Sequence, residues 1–424
     1  MNVIGRLTRL FGLVVIPVFG LVSPLLVIPA ITSTFDANAW VAVALGQSVG
    51  GAASVVVELG WGLNGPQRVA RQSPAISRLT MAMSVLSKFV VFVPVTIVAF
   101  FVAGGLSPAH QLESGLVAIG SAALGLSCSW FFIGTQRVGS LVLTDALPRM
   151  LCAAASAMLI LLGAPLWTYA VLGLLLPSLL SVSLAITLNG VSYSHFRKFS
   201  FRRIIGLIVC QGSALSGRAL SAMYIALPVT IVTLAAPAAA PVFAAAERLQ
   251  RMYLQLLAAF PNMMQGWVGK PGTRVAKRSR INSAVLYNAG LGVVAGVAYS
   301  FMAPAVAAFV FSGVAPIPFE VACLGGVLIF FVSTSRATGG LALVSLRKIH
   351  VIAWSALAGS VIGVPAIFVL ARYYGPAGGV LGEVIAELVV LCVQLVTFAT
   401  SGKRDAQADR VDGTSAVNPI TSRQ

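Results

Sequence analysis

Charge is scarce in this chain. Only 9% of its 424 residues are charged, against about 25% in an ordinary soluble domain, and that excludes a water-solvated globular surface. Acidic groups are scarcer than basic ones, 11 Asp and Glu against 28 Lys and Arg. The three histidines, His110, His195 and His350, fall in loops and do not cluster. The five cysteines (Cys128, Cys152, Cys210, Cys323, Cys392) all lie in apolar stretches without C-x-x-C spacing, where they act as small hydrophobes, so no disulfide framework and no metal site is expected. There is no Walker loop and no nucleophile elbow, so transport driven by ATP in this same chain is excluded and the chain does not read as an enzyme. No external loop exceeds about ten residues by the span reading below, which argues against membrane polymerases and ligases that house their chemistry in a large loop.

What the chain has instead is hydrocarbon. Hydrophobic residues make up 58% of it, arranged in blocks of roughly twenty, each enough to cross a hydrocarbon core of about 30 Å. The hydropathy predicts spans near 11–31, 39–63, 80–104, 115–134, 140–162, 166–190, 207–235, 241–268, 281–311, 320–345, 350–371 and 378–400. The first block follows Arg6 and Arg9 as a signal sequence would, but it lacks a small-x-small cleavage site and is read as the first span. Of the 28 Lys and Arg, 21 fall on one side of this scheme, Arg372 alone falls on the other, and six lie within spans. By the positive-inside rule both termini are cytoplasmic. The net charge of +17 is thereby topogenic, directed at anionic headgroups of membrane lipids and not at nucleic acid. The tail 401–424 is polar and aperiodic and reads as disordered.

The stretch Gly60-Trp61-Gly62-Leu63-Asn64-Gly65 satisfies G-x-G-x-x-G. That pattern cradles a dinucleotide only between a strand and a helix, whereas here it follows an apolar span. Gly62, Gly65, Pro66, Arg68 and Arg71 read as a cytoplasmic exit: a helix-ending turn followed by topogenic charge. Pro29 and Pro228 lie 199 residues apart, close to half the chain, and each leads through a short turn into the next span. A parallel six-plus-six duplication would fit, with lobes at 1–200 and 201–400 and a cavity between them.

Ionisable groups at mid-bilayer cost roughly 2.5–3.5 kcal/mol on insertion scales and are functional candidates by default. In the eighth span, at 100° per residue, Glu247, Arg251, Gln255, Asn262 and Gln265 share one face, Arg248 lies at its edge and Gln250 lies elsewhere. This is either a Glu247–Arg251 pair with amides that glue helices or the lining of a water-filled path with Arg248 as a spare cation. Arg336 in the tenth span either bonds neighbouring carbonyls or faces the same path. Arg218 in the long seventh span is deep or snorkels, depending on register. Lys88 and Arg149 are expected to snorkel to the near interface, with Asp145 and Glu58 meeting nearby arginines. Glu383 and Glu387, one turn apart in the twelfth span and on one face with Gln394, suit either helix packing or coupling to an H+ or Na+ gradient.

Four phrases, in order along the chain, carry a resemblance: ELGWGLNGPQRVAR from Glu58, WFFIGTQRV from Trp130 with TDALPR from Thr144, VFAAAERLQR from Val242, and YYGPAGGVLGEVIAELVVL from Tyr373. Together they resemble the bacterial polysaccharide flippases of the MOP exporter superfamily, the Wzx-type O-antigen and exopolysaccharide translocases. The resemblance implies an all-α integral membrane protein of about 12 transmembrane helices in two six-helix lobes around a central cavity, as in MATE transporters. It implies a bacterial cytoplasmic (inner) membrane protein that moves undecaprenyl-pyrophosphate-linked oligosaccharide by alternating access for cell-surface polysaccharide biosynthesis, beside polymerase and assembly partners and without a bound cofactor. Arg248, Arg251, Arg336 and Arg218 would then meet the pyrophosphate. The chain departs from the family's habit after the eighth span, where it reads FPNMMQGWVGKPG, so that helix is expected to end differently. Two alternatives stay open: a MATE-type cation-coupled drug antiporter, which would present carboxylates to its cargo, and a non-transporting scaffold of a glycan assembly complex.

Overall fold

The predicted spans fall on helices wherever the computed structural model describes them, over residues 23–209, 211, 226–268, 273–346 and 348–415. The helices of the bundle, numbered in order, begin with α1 (Ser23–Thr34), α2 (Ala37–Glu58), α3 (Pro74–Leu106), α4 (Gln111–Gly134), α5 (Gly139–Leu161) and α6 (Tyr169–Leu188). They continue with α7 (Pro228–Ala235), α8 in two pieces (Ala240–Leu257 and Ala259–Val268), α9 (Arg274–Val310) and α10 (Phe319–Ala337). A final helical stretch, Ile349–Ser415, bends at Gly375 (φ 59°, ψ −137°) and divides into α11 (349–374) and α12 (376–415). No strand occurs among the described residues. Eight of the helices are long and apolar enough to cross a membrane, α11 and α12 being counted as one. The protein is an all-helical, multi-pass membrane protein.

Helix α2 packs along α4 and α3 in the first half, and α10 packs along α9 and the Ile349–Ser415 stretch in the second. Small residues permit the close approach. A side chain at Gly46 or Gly50 of α2 would meet the α4 backbone at Ser114 and Ala118, and Gly296 of α9 faces Gly326 of α10. Without a hydrophobic drive between helices in lipid, such backbone contact supplies the packing energy.

The halves meet at the ends opposite the basic loops. Thr32 of α1 donates to the Val310 carbonyl (3.4 Å), and the Trp40 indole donates to the Pro241 carbonyl (3.2 Å). The Trp40 ring also packs 5.0 Å from that of Phe311. Deeper along α2, Ser48 shares a 2.8 Å hydrogen bond with Thr230 of α7. These contacts tie α1 and α2 to α7, α8 and the end of α9.

The G-x-G-x-x-G stretch is no phosphate turn. Leu59 and Gly60 take left-handed backbone (φ 54° and 71°) and end α2, and a short helix, Trp61–Val69, follows. Gly65 lies against the Trp130 ring, Trp61 stacks 5.1 Å from it, and Gly134 abuts Pro66. Two of the four phrases are thus packed on each other, while Arg68 and Arg71 are exposed.

Expectation and structure differ at Lys88. The sequence places the third span from residue 80, so that Lys88 could reach the interface, but α3 starts at Pro74. Lys88 lies about 21 Å from that start and, at 0% exposed, is enclosed by its neighbours instead of reaching the interface.

Asp36 caps α2, accepting the Ala39 N–H at 3.0 Å. That bond holds its carboxyl below the usual aspartate range, helped by Asn38 and His110. Asp36→Ala should lower stability by about 0.5–2 kcal/mol near neutral pH. Because the folded-state pKa is depressed, the stabilisation is complete above the unfolded-state value and lost as pH falls through the folded one. Thermal melts in detergent should therefore show the wild-type and Asp36→Ala curves converging below about pH 4.

Candidate functional site: a charged pocket at the lobe seam

Helix α8 positions the central charges. Glu247 and Arg251, one turn apart, form an ion pair in which the Arg251 Nε lies 3.0 Å from a Glu247 oxygen. Glu247 is buried and Arg251 half-buried. Arg248, between them in sequence, makes no ion pair among the described residues, and its Nε is buried without a hydrogen-bond partner. The group it faces across the seam is Tyr169 of α6, whose hydroxyl accepts a 2.6 Å hydrogen bond from Gln47 of α2. Gln47, Ser48, Glu247, Arg248 and Arg251, with apolar residues of α2, α7 and α8, line a pocket of about 90 Å³.

The polar face expected along the whole eighth span is interrupted. Pro261 lacks an N–H and crowds the carbonyl four residues back, and the helix breaks at Ala258 between its two pieces. Helical register computed for a straight rod does not carry across that break. Gln255 and Gln265 are exposed, and the Asn262 side chain lies outside the described residues. Gln250, off the polar face, is buried and donates to the Gly325 carbonyl of α10 (3.3 Å), a helix-gluing contact.

Arg336 lies at the break. Its guanidinium donates to the Leu254 carbonyl (2.8 Å), near the end of the first piece of α8, where that carbonyl also accepts the Ala258 N–H (3.1 Å). Behind it, Ser335 donates to Glu387, and the charges of Arg336 and Glu387 lie within electrostatic reach of each other. Glu383, one turn away, is buried, its Oε2 has no hydrogen-bond partner, and it feels the charges of Glu247, Arg251 and Glu387. The result is a string of three arginines (Arg248, Arg251, Arg336) and three glutamates (Glu247, Glu383, Glu387) running from the seam into the second half. Its charge is balanced in number, and Arg248 is the cation furthest from the glutamates of α12 along that string. Gln394 contributes elsewhere, donating to Ser355 (3.2 Å) and packing on the Gly339 backbone. Arg218 lies outside the described residues.

A second polar cluster sits inside the first half. Arg149 and Asp145 pair at 2.8 Å, as their i, i+4 spacing suggests. The same Asp145 oxygen accepts from Ser127 (3.2 Å) and Ser181 (3.3 Å). The Lys88 ammonium donates to the Ser127 carbonyl (2.8 Å), with Glu58 and Cys128 within electrostatic reach. Ser127 lies where α4 breaks between a 3-10 turn ending at Leu126 and the helical segment from Ser129, and Asp145 lies on a π-helical turn. The sequence signals for this cluster were the i, i+4 spacing of Asp145 and Arg149 and one lysine in an apolar run, and hydropathy did not show that the lysine joins them.

No family model matches the chain, and no curated protein matches it in sequence. Solved structures do match over nearly its whole length. An inward-facing multidrug-resistance MATE family transporter of the MOP superfamily superposes with TM-score 0.63 at 14% identity, covering 95% of this chain and 96% of that one. A eukaryotic MATE transporter gives 0.53 at 16% identity, covering 93% and 95%. The lipid II flippase MurJ in an inward closed conformation gives 0.51 at 13% identity, covering 93% and 87%. The chain thus has the two-lobe fold of MOP superfamily transporters. These neighbours are transporters and flippases, not enzymes.

Lys88 holds the broken end of α4, so its loss should be felt as stability. Lys88→Met keeps most of the volume but leaves the Ser127 carbonyl without its donor, and should cost about 1–3 kcal/mol. Lys88→Ala adds a cavity and should cost more. Thermal unfolding of purified protein would rank them, and unchanged melting of both variants would contradict the buried bond.

Proposed function

We propose that this chain is a flippase that moves an undecaprenyl-pyrophosphate-linked oligosaccharide across a bacterial cytoplasmic membrane by alternating access, serving cell-surface polysaccharide biosynthesis. The observation that carries the reading is Arg248, a cation with no ion pair among the described residues, lining a pocket where two lobes meet. A desolvated guanidinium needs an anion, and the pyrophosphate of a lipid-linked sugar brings one in a geometry that guanidinium matches.

Alternating access is supported by where the lobes touch. Thr32, Trp40, Pro241 and Phe311 close the seam at the end away from the basic loops. With the basic loops and both termini in the cytoplasm, the seam pocket is reached from the cytoplasmic side, where such a cargo is assembled. Arg251 and Arg336 form the path beyond Arg248, and Arg218 is an additional candidate. Glu383 and Glu387 are the groups through which an H+ or Na+ gradient would couple. Partner proteins of polysaccharide polymerisation and assembly would act on the product.

The MATE-type antiporter is the second reading, favoured by one observation: three glutamates share the site with the arginines. The two readings differ in which charge the cargo needs. In the flippase, Arg248→Ala should lower glycan export by roughly tenfold or more, the loss of one charge-assisted contact, and trap lipid-linked oligosaccharide in the inner leaflet at normal protein level. Arg336→Ala should have a smaller effect, because Arg336 already serves a carbonyl. Glu247→Gln should weaken the hold on Arg251, tighten binding of the phosphate-bearing cargo and slow its release. Intact export in the Arg248 and Arg251 alanine variants, with drug efflux lost in the Glu247 and Glu383 variants, would move the function to the antiporter. Export that survives every charge removal would leave only the scaffold role.

A further inference from the structure

Arg248 faces a first-half side chain that the transport reading leaves without a role. Tyr169 opens α6 and is 6% exposed, yet its hydroxyl reaches the seam, where it accepts the Gln47 amide at 2.6 Å. Gln47 lines the same pocket as Arg248, and the phenol and the guanidinium lie within electrostatic reach of each other. Having accepted from Gln47, the phenol donates its own proton to no described residue. The Arg248 Nε is likewise buried without an acceptor. Two donors from opposite halves thus face each other, with no acceptor between them among the described residues. The fold holds the phenol in place. A side chain at Gly173, one turn along α6, would come within 2.6 Å of the Tyr169 ring and 3.1 Å of the Ser156 hydroxyl of α5, so the glycine leaves the slot in which the ring lies. Tyr169 also begins a π-helical turn, Tyr169–Leu175, a feature that recurs at functional positions. Gln47 shares a face of α2 with Trp40, about 10 Å along the helix, and Trp40 both lines the pocket and closes the outer end on the Pro241 carbonyl.

We infer that Tyr169, oriented by Gln47, is the first half's hydrogen-bond donor to the anion that Arg248 holds from the second half, an inference that rests on the function proposed above. One oxygen of the anion accepts from the guanidinium and another from the phenol. Gln47 occupies a lone pair of the phenol oxygen and leaves its proton for the seam. A neutral donor is what this position requires. A second cation opposite Arg248 would repel it in the empty site, and a carboxylate would pair with it and shut the anion out. A phenol does neither, and its bond to the anion is charge-assisted only once the anion has arrived. The site is then complete only when both halves contribute, so Tyr169 gives the first half its own hold on the cargo.

The test measures binding of undecaprenyl pyrophosphate to the full-length protein in phosphatidylcholine nanodiscs. Tyr169→Phe keeps the ring in its slot and should weaken binding by roughly tenfold, the loss of one hydrogen bond to a charged group. In an Arg248→Lys background the same change should weaken it by less than about threefold, because the two side chains act on one anion. A purely structural tyrosine would give the same factor in both backgrounds. Gln47→Glu brings a carboxylate to Arg248 and should abolish binding while keeping the melting temperature at or above that of the wild type, and it decides the matter if Tyr169→Phe does not fold. Inorganic pyrophosphate should displace the ligand, and phosphatidylglycerol added to the nanodisc should not. Wild-type affinity in either variant, equal factors in the two backgrounds, or displacement by phosphatidylglycerol would overturn the inference. Loss of binding in Arg248→Ala with wild-type affinity in Tyr169→Phe removes Tyr169 from the site and leaves the flippase reading standing, whereas full binding in Arg248→Ala removes the anion site and both readings with it.

Discussion

A charge inside a hydrocarbon slab must either find a partner or face water, and that constraint shapes this molecule. Each described charge at depth has an answer to it. Lys88 finds a carbonyl at a helix break, Asp145 gathers Arg149 and two serines, and Glu247 holds Arg251. Arg336 finds the Leu254 carbonyl. Removing either member of such a pair leaves the other uncompensated, which is why buried pairs are costly to break even when they add little net stability. Glu383, whose Oε2 is buried without a hydrogen-bond partner, is one exception, and among the cations Arg248 is another, since it faces a tyrosine and a pocket with no carboxylate bonded to it. In a medium where unpaired charge is expensive, that exception is what the functional reading depends on.

Breaks in the helices supply the partners. Backbone groups are normally consumed within a spanning helix, because lipid offers no alternative. Where α4 breaks after Leu126 and α8 breaks at Ala258, a cationic side chain from a neighbouring helix donates to a carbonyl: that of Ser127 in the first case, and in the second that of Leu254, which also accepts the Ala258 N–H. The π-helical turns at Val142–Ala146, Tyr169–Leu175 and Thr338–Leu343 have a related effect. Two of them carry residues of the polar clusters, Asp145 and Tyr169, in accordance with the tendency of π-turns to mark functional positions.

The fold was largely legible in the sequence because the bilayer sets one length scale and each hydrophobic block reports it locally. The four-phrase resemblance agreed with the fold that structural superposition supports. Legibility failed where depth depended on a helix start. The mixed stretch Pro74 to Leu79 (PAISRL) belongs to α3 although hydropathy left it out, and Lys88 is turned into the bundle, which hydropathy does not report. It failed again on α8, where a single 100° register was drawn through Pro261, the residue that interrupts it. Glu247 with Arg251 and Asp145 with Arg149 were readable because i, i+4 pairing is local. The meeting of Glu383 with Glu247, or of Arg336 with Leu254, depends on how distant helices pack, and no spacing in the chain encodes it.

The placement of charge along α8 separates the competing cargo chemistries. A site built for a cationic drug should turn its uncompensated carboxylates toward the seam, yet the glutamate that lines the seam pocket, Glu247, is already tied to Arg251, and Glu383 and Glu387 lie further inside the second half. The uncompensated group nearest both lobes is Arg248, beside neutral donors and acceptors from the first half, Gln47 and Tyr169. An anion entering there would lie between lobes and draw them together without first breaking an ion pair. The carboxylates behind it are placed to respond to that anion electrostatically through Arg251, and it is by this shared arginine that cargo binding and ion binding would act on the same equilibrium between conformations.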